Sequence, residues 1–187
     1  MQDGALAALD LLSVTNFVNY FGKSNSVEEV ISRFKVFFFC GLKKKKLFLT
    51  RKIVHPILMQ KGKTKLAIYG LGNIRDERLH RMFFQKKGTI HTTQLFPYYA
   101  MTVKFMRPRE ATDDWFNVML LHQNRVAHSP KNFIPEQMLE NFLDLIIWGH
   151  EHECKIVPAP CSDRDFYITQ PGSSIATSLS EYEAKKK

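Results

Sequence analysis

Short apolar runs, each followed closely by a turn residue, mark the chain from residue 66 onward. They cover residues 66–69, 116–121, 145–148 and 166–169, and glycine, histidine or proline follows each within a few positions. Runs of this length between turn residues predict strands. The runs at 116–121 and 145–148 are apolar almost throughout, which is typical of parallel strands that are covered on both faces.

Apolar residues at helical spacing predict three helices, over residues 4–21, 76–84 and 135–143. The first has Asp3 as a candidate N-cap and Gly22 as a candidate residue after its last turn. Its apolar surface is wider than one stripe, so we expect it to be buried on two sides. The third begins at Pro135, a residue that is favoured in a first helical turn. Its apolar positions are Met138, Leu139 and Phe142.

Two stretches, residues 31–52 and 86–105, follow neither pattern. The first sets runs of phenylalanine and leucine around the block Lys43–Lys46. One interpretation is a hairpin with a solvated lysine tip, but we interpret both stretches as insertions into the fold. The net charge of +9 comes largely from residues 31–52, which hold eight basic and no acidic residues. The charge therefore belongs to one segment and does not by itself predict a DNA-binding surface.

The length of 187 residues suits one domain with a core. No apolar run approaches the roughly 20 residues of a membrane span, so we expect no membrane association. The first residues do not resemble a secretory signal. The three cysteines, Cys40, Cys154 and Cys161, form an odd, sparse set, which indicates free thiols in a reducing compartment.

Three histidines are the strongest candidates for chemistry. His122 ends one predicted strand, and Gly149-His150-Glu151-His152 ends the next. The carboxyl ends of parallel strands meet at one edge of a sheet, where ligands bind, so we expect these side chains to be neighbours. Strand alternation would turn His152 to the same side as His150. Converging neutral imidazoles predict a site for a divalent metal ion.

For other polar residues near these histidines, the sequence pattern is a less specific indication of function. Cys154 extends the alternation of His150 and His152 and is an alternative zinc ligand. Arg125 and Asn124 follow His122 and are candidate DNA contacts, although a solvated loop arginine is about as compatible with the pattern. Ser173 follows Pro171-Gly172, and a turn role is the simpler interpretation there.

Four motifs carry a resemblance to a known family. They are Leu-His-Gln-Asn-Arg at 121–125, Asn-Phe-Ile-Pro-Glu at 132–136, Ile-Trp-Gly-His-Glu-His-Glu-Cys at 147–154 and Gln-Pro-Gly-Ser-Ser at 170–174. The chain resembles the calcineurin-like metallophosphoesterases and, among them, the eukaryotic Mre-eleven (meiotic recombination eleven) nucleases. The resemblance covers about three-quarters of the chain and breaks at 31–52 and 86–105. It implies an α/β fold, part of a layered β-sandwich flanked by helices.

The resemblance also implies a reaction and a cofactor. In this family two Mn²⁺ ions lie side by side and cleave DNA phosphodiesters in double-strand break repair and meiosis, by endonuclease and exonuclease activity. Transferred by motif, His122 and His150 would bind one ion and His152 the other. The implied partners are DNA, a Rad-fifty-type ATPase, an Nbs-type subunit and a second copy bound through helix 4–21. The implied location is the nucleus.

The chain departs from the family pattern in its acidic ligands. The family also uses an Asp-x-His motif, a bridging aspartate and a Gly-Asn-His motif. The chain has no Asp-x-His, and Ile74 follows Gly72-Asn73 where a histidine would be required. We therefore expect residues 1–187 to form an incomplete nuclease domain without the N-terminal metal motifs and the C-terminal capping domain. At most one ion would bind weakly, and the alternative function is a catalytically silent fragment that dimerises or binds DNA or a partner.

Overall fold

The computed structural model describes residues 8–19, 21, 48–72, 74–86, 99–127, 129–175, 177–178 and 180–184. Its elements, in chain order, are α1 (Ala8–Val14), β1 (Phe48–Val54), β2 (Pro56–Lys61), β3 (Thr64–Leu71), α2 (Asp76–Lys86), β4 (Tyr99–Phe105), β5 (Trp115–His122), β6 (Leu145–Gly149), β7 (Lys155–Pro160), β8 (Tyr167–Gln170) and α3 (Glu181–Ala184). Single 3₁₀ turns cover Thr112–Asp114 and Glu136–Met138.

A six-stranded sheet in the order β2-β3-β5-β6-β8-β7 carries the fold. Its four central strands run parallel, and the two edge strands, β2 and β7, are antiparallel to their neighbours. The predicted strands at 66–69, 116–121, 145–148 and 166–169 are the four parallel ones. The α/β class and the parallel arrangement of β5 and β6 are thereby confirmed.

One face of this sheet forms the core. Successive side chains of a strand point to opposite faces, and every second residue of β3, β5 and β6 is buried. These residues are Ala67, Tyr69, Leu71, Met119, Leu121, Ile146 and Trp148. Helix α2 and strand β4 add Leu79, Met82, Phe83, Val103 and Phe105 to the same cluster. The predicted helix at 76–84 is confirmed, and its apolar side lies in this core.

The opposite face also carries apolar side chains, which we call the outer row. Its members are aligned across five strands by the strand register, in the order Ile57, Ile68, Val118, Leu145 and Tyr167. Ile57 is 38% exposed and Tyr167 is 52% exposed. The sheet is therefore apolar on both faces, as parallel strands usually are, but the two faces differ in how much solvent they meet.

The prediction of a helix over residues 135–143 is wrong. Only Glu136–Met138 is helical, as one 3₁₀ turn, and Leu139 is extended with φ −76° and ψ 163°. Leu139 and Leu143 are nevertheless buried. The apolar spacing thus indicates which residues are buried in the core. It does not require a helix, because the irregular connection from β5 to β6 buries the same residues.

The first helix ends earlier than the sequence predicts. Asn16 has φ 60°, the left-handed conformation that often follows a last helical turn. The N–H of Phe17 donates to the carbonyl of Leu12 at 3.0 Å, and the N–H of Asn16 donates to Ser13 at 3.1 Å. These two bonds form a Schellman motif, so the helix stops near Val14 and not at Gly22. Its predicted start lies outside the described residues.

The two stretches interpreted as insertions are described only in part. Residues 31–47 and 87–98 lie outside the described residues. Residues 48–54 and 99–105 form β1 and β4, which pair with each other in parallel. The interpretation as insertions stays a prediction.

None of the helices in the described ranges is long and apolar enough to cross a membrane.

Candidate metal centre

His122 and His150 meet at the carboxyl ends of two adjacent parallel strands. His122 is the last residue of β5 and is paired in register with Gly149, the last residue of β6. The ring centroids of His122 and His150 are 5.3 Å apart, with an angle of 76° between the ring planes. The proximity that strand order predicts for these two residues is confirmed.

Gly149 makes this approach possible because it has no side chain. A Cβ at this position would lie 2.8 Å from Nδ1 of His122, closer than such atoms pack. The next residue, His150, has φ 76°, a conformation that costs a non-glycine residue of order 1–2 kcal/mol. The backbone therefore turns sharply after β6 and directs the second histidine towards the first.

The environment of His122 favours the neutral form of its imidazole. Desolvation of the ring lowers its pKa from the ordinary value of 6.5, and the nearby His150 and His152 lower it further. Neutral imidazole is the form that binds divalent metal ions. Both His122 and His150 are exposed at the sheet edge, so a solvated ion can reach them.

His152 is positioned by hydrogen bonds and not by strand alternation. Strand β6 ends at Gly149, so the two-residue period does not extend to residue 152. Its Nδ1 lies 2.5 Å from Oγ of Ser173 and 2.8 Å from Oγ1 of Thr177. His152 is near enough to His122 to add to the lowering of the pKa of that ring.

Gly172 brings Ser173 against His152. It has φ 73°, and a Cβ there would lie 2.6 Å from the carbonyl oxygen of His152. The N–H of Ser173 also points to that carbonyl, at 3.4 Å. Only glycine combines this backbone conformation with so close an approach, so the Pro-Gly turn after β8 determines where Ser173 lies.

Glu183 of α3 organises the segment that holds Thr177. Its carboxylate accepts hydrogen bonds from the N–H of Thr177 at 2.6 Å and the N–H of Ser178 at 3.1 Å. The hydroxyl groups of both residues donate to it as well. The backbone N–H of Thr177 is the largest of the causes that lower the pKa of Glu183 to about 2. Oε1 of Glu183 is 3.7 Å from Nδ1 of His152.

The two candidate DNA contacts have partners within the protein. The Arg125 guanidinium pairs with Glu136 at 2.7 Å and donates to Oε1 of Gln170 at 2.9 Å. The side-chain amide of Asn124 donates to Oδ2 of Asp76 at 3.0 Å. Both side chains therefore hold the loop after β5 in place, and contact with DNA stays a prediction.

Glu151, between the two histidines of the Gly-His-Glu-His motif, has a structural task that sequence reasoning missed. Its Oε1 accepts hydrogen bonds from the N–H of Arg125 at 2.7 Å and of Val126 at 3.0 Å. The side chain thereby joins the loop after β5 to the loop after β6. No role was predicted for Thr177 or Glu183, because the sequence alone does not place either residue near His152.

Cys154 follows His152 by two residues and is buried. It is 4% exposed and carries a free thiol. Among the described residues, no group of three or more histidine, cysteine, aspartate or glutamate side chains is arranged to hold a metal ion. The zinc alternative through Cys154 therefore gains no support, and metal binding by the three histidines stays a prediction.

Comparison with curated proteins gives the chain a set of relatives. It is 48% identical over 183 residues to the double-strand break repair protein MRE11 of Homo sapiens, a match that covers 98% of this chain and 21% of that protein. MRE11 of Arabidopsis thaliana is 48% identical over 186 residues, with 97% and 21% covered. MRE11 of Coprinopsis cinerea is 40% identical over 185 residues, with 99% and 21% covered. The chain therefore spans about one fifth of the length of these relatives. No protein-family model matches it.

Proposed function

Since the chain belongs to the MRE11 (Mre-eleven) family over the fifth of those proteins that it spans, we propose that it contributes histidine ligands to a metal centre that hydrolyses DNA phosphodiesters. The relatives are named for double-strand break repair, and we assign the same process to this chain. The observation that carries the proposal is the contact between His122 and His150 at the ends of β5 and β6, with ring centroids 5.3 Å apart.

The donor set fits a first-row divalent ion. Partial desolvation lowers the pKa of His122, which favours the neutral ring that has a lone pair to offer. We propose Mn²⁺ as the cofactor, as the family resemblance implies, with His122 and His150 binding one ion and His152 a second. A bound metal pair would polarise the phosphodiester and activate water near neutral pH. Gly149 lies against the His122 ring, and the hydroxyl groups of Ser173 and Thr177 hold the His152 ring in place.

The remaining ligands of a two-ion site would come from outside the described residues. Imidazoles are neutral and do not offset the charge of two divalent ions, so such a site needs carboxylates. Among the described residues no group of three or more histidine, cysteine, aspartate or glutamate side chains is arranged to hold a metal ion. This observation favours a second candidate function, a catalytically silent segment that binds DNA, a partner or a second copy without cleaving phosphodiesters.

The proposed partners follow the family. They are DNA, an ATPase of the Rad-fifty type, an Nbs-type subunit and a second copy that contacts helix α1, and the proposed location is the nucleus. Helix α1 supports the last contact because its apolar side chains are exposed, Leu11 by 56% and Val14 by 78%. Arg125 and Asn124 remain candidate DNA contacts, although Arg125 pairs with Glu136 and Asn124 donates to Asp76 within the protein.

Manganese titration calorimetry on the chain, followed by nicking of supercoiled DNA, tests the proposal. We expect Mn²⁺ binding that is lost in the double variant His122→Ala, His150→Ala. The control is His55→Ala, which replaces an exposed histidine ahead of β2. Equal binding by the double variant and the control would contradict the proposed ligands. Binding without any nicking would select the catalytically silent alternative.

A further inference from the structure

Three side chains form a chain of hydrogen bonds that ends at His152. Oγ1 of Thr177 lies 3.0 Å and 3.1 Å from the two carboxylate oxygens of Glu183. The same Oγ1 lies 2.8 Å from Nδ1 of His152. Thr177 is therefore the link between a carboxylate and an imidazole, and its single hydroxyl proton can serve only one of them.

The carboxylate takes that proton. An ionised carboxylate accepts hydrogen bonds and donates none, and Glu183 already accepts from the N–H groups of Thr177 and Ser178. The hydroxyl of Thr177 must then donate to Glu183. What its oxygen presents to His152 is a lone pair, so a hydrogen bond at 2.8 Å requires a proton on Nδ1.

Ser173 is compatible with the same assignment. Its Oγ lies 2.5 Å from Nδ1 of His152, and a hydroxyl oxygen can accept as well as donate. With the proton on Nδ1, both hydroxyl oxygens act as acceptors. With the proton on Nε2, the lone pairs of Thr177 and of Nδ1 would face each other, which is repulsive.

We propose that Glu183, acting through Thr177, holds His152 in the Nδ1–H tautomer and leaves the lone pair of Nε2 available for a metal ion. Glu183 and Thr177 are then positioning residues. The inference deepens the proposed function and rests on it for the role of the metal. The side chain of His152 is 56% exposed, so an ion in solution can approach it. Partners that hold the second nitrogen of a metal-binding histidine fix its tautomer and orientation in this way.

Nitrogen NMR on the metal-free, ¹⁵N-histidine-labelled full chain near neutral pH tests the tautomer directly. The signals of His152 are those that disappear in His152→Ala. We expect them to show the proton on Nδ1. In Thr177→Val, which keeps the shape of the side chain but removes the hydroxyl, we expect a shift towards the Nε2–H tautomer. Thr177→Ser, which keeps a hydroxyl, should retain the original pattern.

The matched control is Ser178→Ala. Ser178 also donates a hydroxyl to Glu183, at 3.0 Å, so its loss perturbs the carboxylate without removing the link to His152. We expect its tautomer to be that of the unchanged chain. Equal shifts in Thr177→Val and Ser178→Ala would overturn the proposal, because the effect would then come from general loosening of this segment. A proton on Nε2 in the unchanged chain would overturn it outright.

A second measurement connects the tautomer to the metal. Loss of such a positioning partner typically lowers metal affinity by about 10- to 100-fold, and we expect a loss of this size for Mn²⁺ in Thr177→Val and little change in Ser178→Ala. The NMR experiment contains no metal, so the two hypotheses fail separately. An Nδ1–H tautomer in a chain that binds no Mn²⁺ would support the hydrogen-bond assignment and contradict the proposed metal centre.

Discussion

Gly149 lies against the His122 imidazole, and a Cβ at residue 149 would come within 2.8 Å of Nδ1 of that ring. The neighbouring backbone carbonyl, of Leu121, would be 3.5 Å from the same Cβ. The ring is therefore the group that would have to move. Adding a single methyl group at residue 149 would therefore push the His122 ring away from His150.

The first prediction concerns Gly149→Ala. The added methyl group should displace the His122 ring from His150 and lower Mn²⁺ affinity by at least about tenfold, as a misplaced ligand typically does. Overpacking of this kind costs about 1–3 kcal/mol of unfolding free energy. Calorimetry with Mn²⁺ and urea unfolding measure the two effects.

The control for this variant is Gly62→Ala. Gly62 has φ 58°, and apart from its own residue and its two chain neighbours no atom lies within 4 Å of the added Cβ. This substitution therefore also costs stability, but through the backbone alone. We expect Mn²⁺ affinity to be unchanged in it. A similar loss of affinity in both variants would contradict the steric explanation.

The second prediction concerns pH. The pKa of folded His122 lies below 6.5, first because the ring is desolvated and then because His150 and His152 are near. Between the folded pKa and the unfolded pKa the unfolded chain binds more protons, so the free energy of unfolding decreases as the pH falls through this window. His122→Gln removes that contribution.

Urea unfolding of the unchanged chain and of His122→Gln at pH 7.5 and pH 5.5, without metal, measures the contribution of His122 to the free energy of unfolding. The advantage in unfolding free energy of the unchanged chain over His122→Gln should be smaller at the lower pH. His55→Gln is the control, since it replaces an exposed histidine that is not part of this cluster. A difference between the chain and His122→Gln that is the same at both pH values would contradict the lowered pKa.

The third prediction concerns Tyr69. This side chain is fully buried, and its hydroxyl has no hydrogen-bond partner among the described residues. Its ring packs edge-on against Phe142 and Phe105, at 5.5 Å and 6.1 Å. Because a buried unpaired hydroxyl costs about 1–3 kcal/mol, Tyr69→Phe should leave the free energy of unfolding unchanged or raise it by up to this amount.

Thermal and urea unfolding check this outcome. Tyr167→Phe is the matched control, because Tyr167 is 52% exposed and its hydroxyl should contribute little. A loss of more than about 1 kcal/mol in Tyr69→Phe would mean that the hydroxyl makes a hydrogen bond in the folded protein.

The parallel part of the sheet could be predicted from the sequence because strands covered on both faces appear as apolar runs. Strands β2 and β7 could not, since nearly all their residues are exposed at the sheet edges. Their apolar stretches, residues 57–59 and 156–157, are too short to mark a strand. The helix expected at 135–143 failed for a related reason. Leu139 and Leu143 are buried by the core, and burial alone does not determine the backbone conformation between them.

The candidate site was predictable to a similar extent. His122 and His150 meet because parallel strands end at one edge, which strand order alone implies. The partners of His152 come from Ser173 and Thr177, 21 and 25 residues away. Their placement depends on the turn at Gly172 and on the carboxylate of Glu183. No local sequence pattern indicates where these turns place Ser173 and Thr177, so only the structure identifies them as partners of His152.

The two apolar faces of the sheet separate two properties of the protein that usually change together. Unfolding free energy depends on the apolar area that folding buries, which is mainly the inner face with Ala67, Met119 and Ile146. Solubility depends on the apolar area that stays exposed, and the outer row contributes to it through Ile57 and Tyr167. Polar substitutions at these two positions therefore offer a way to raise solubility while leaving the core that stabilises the fold intact.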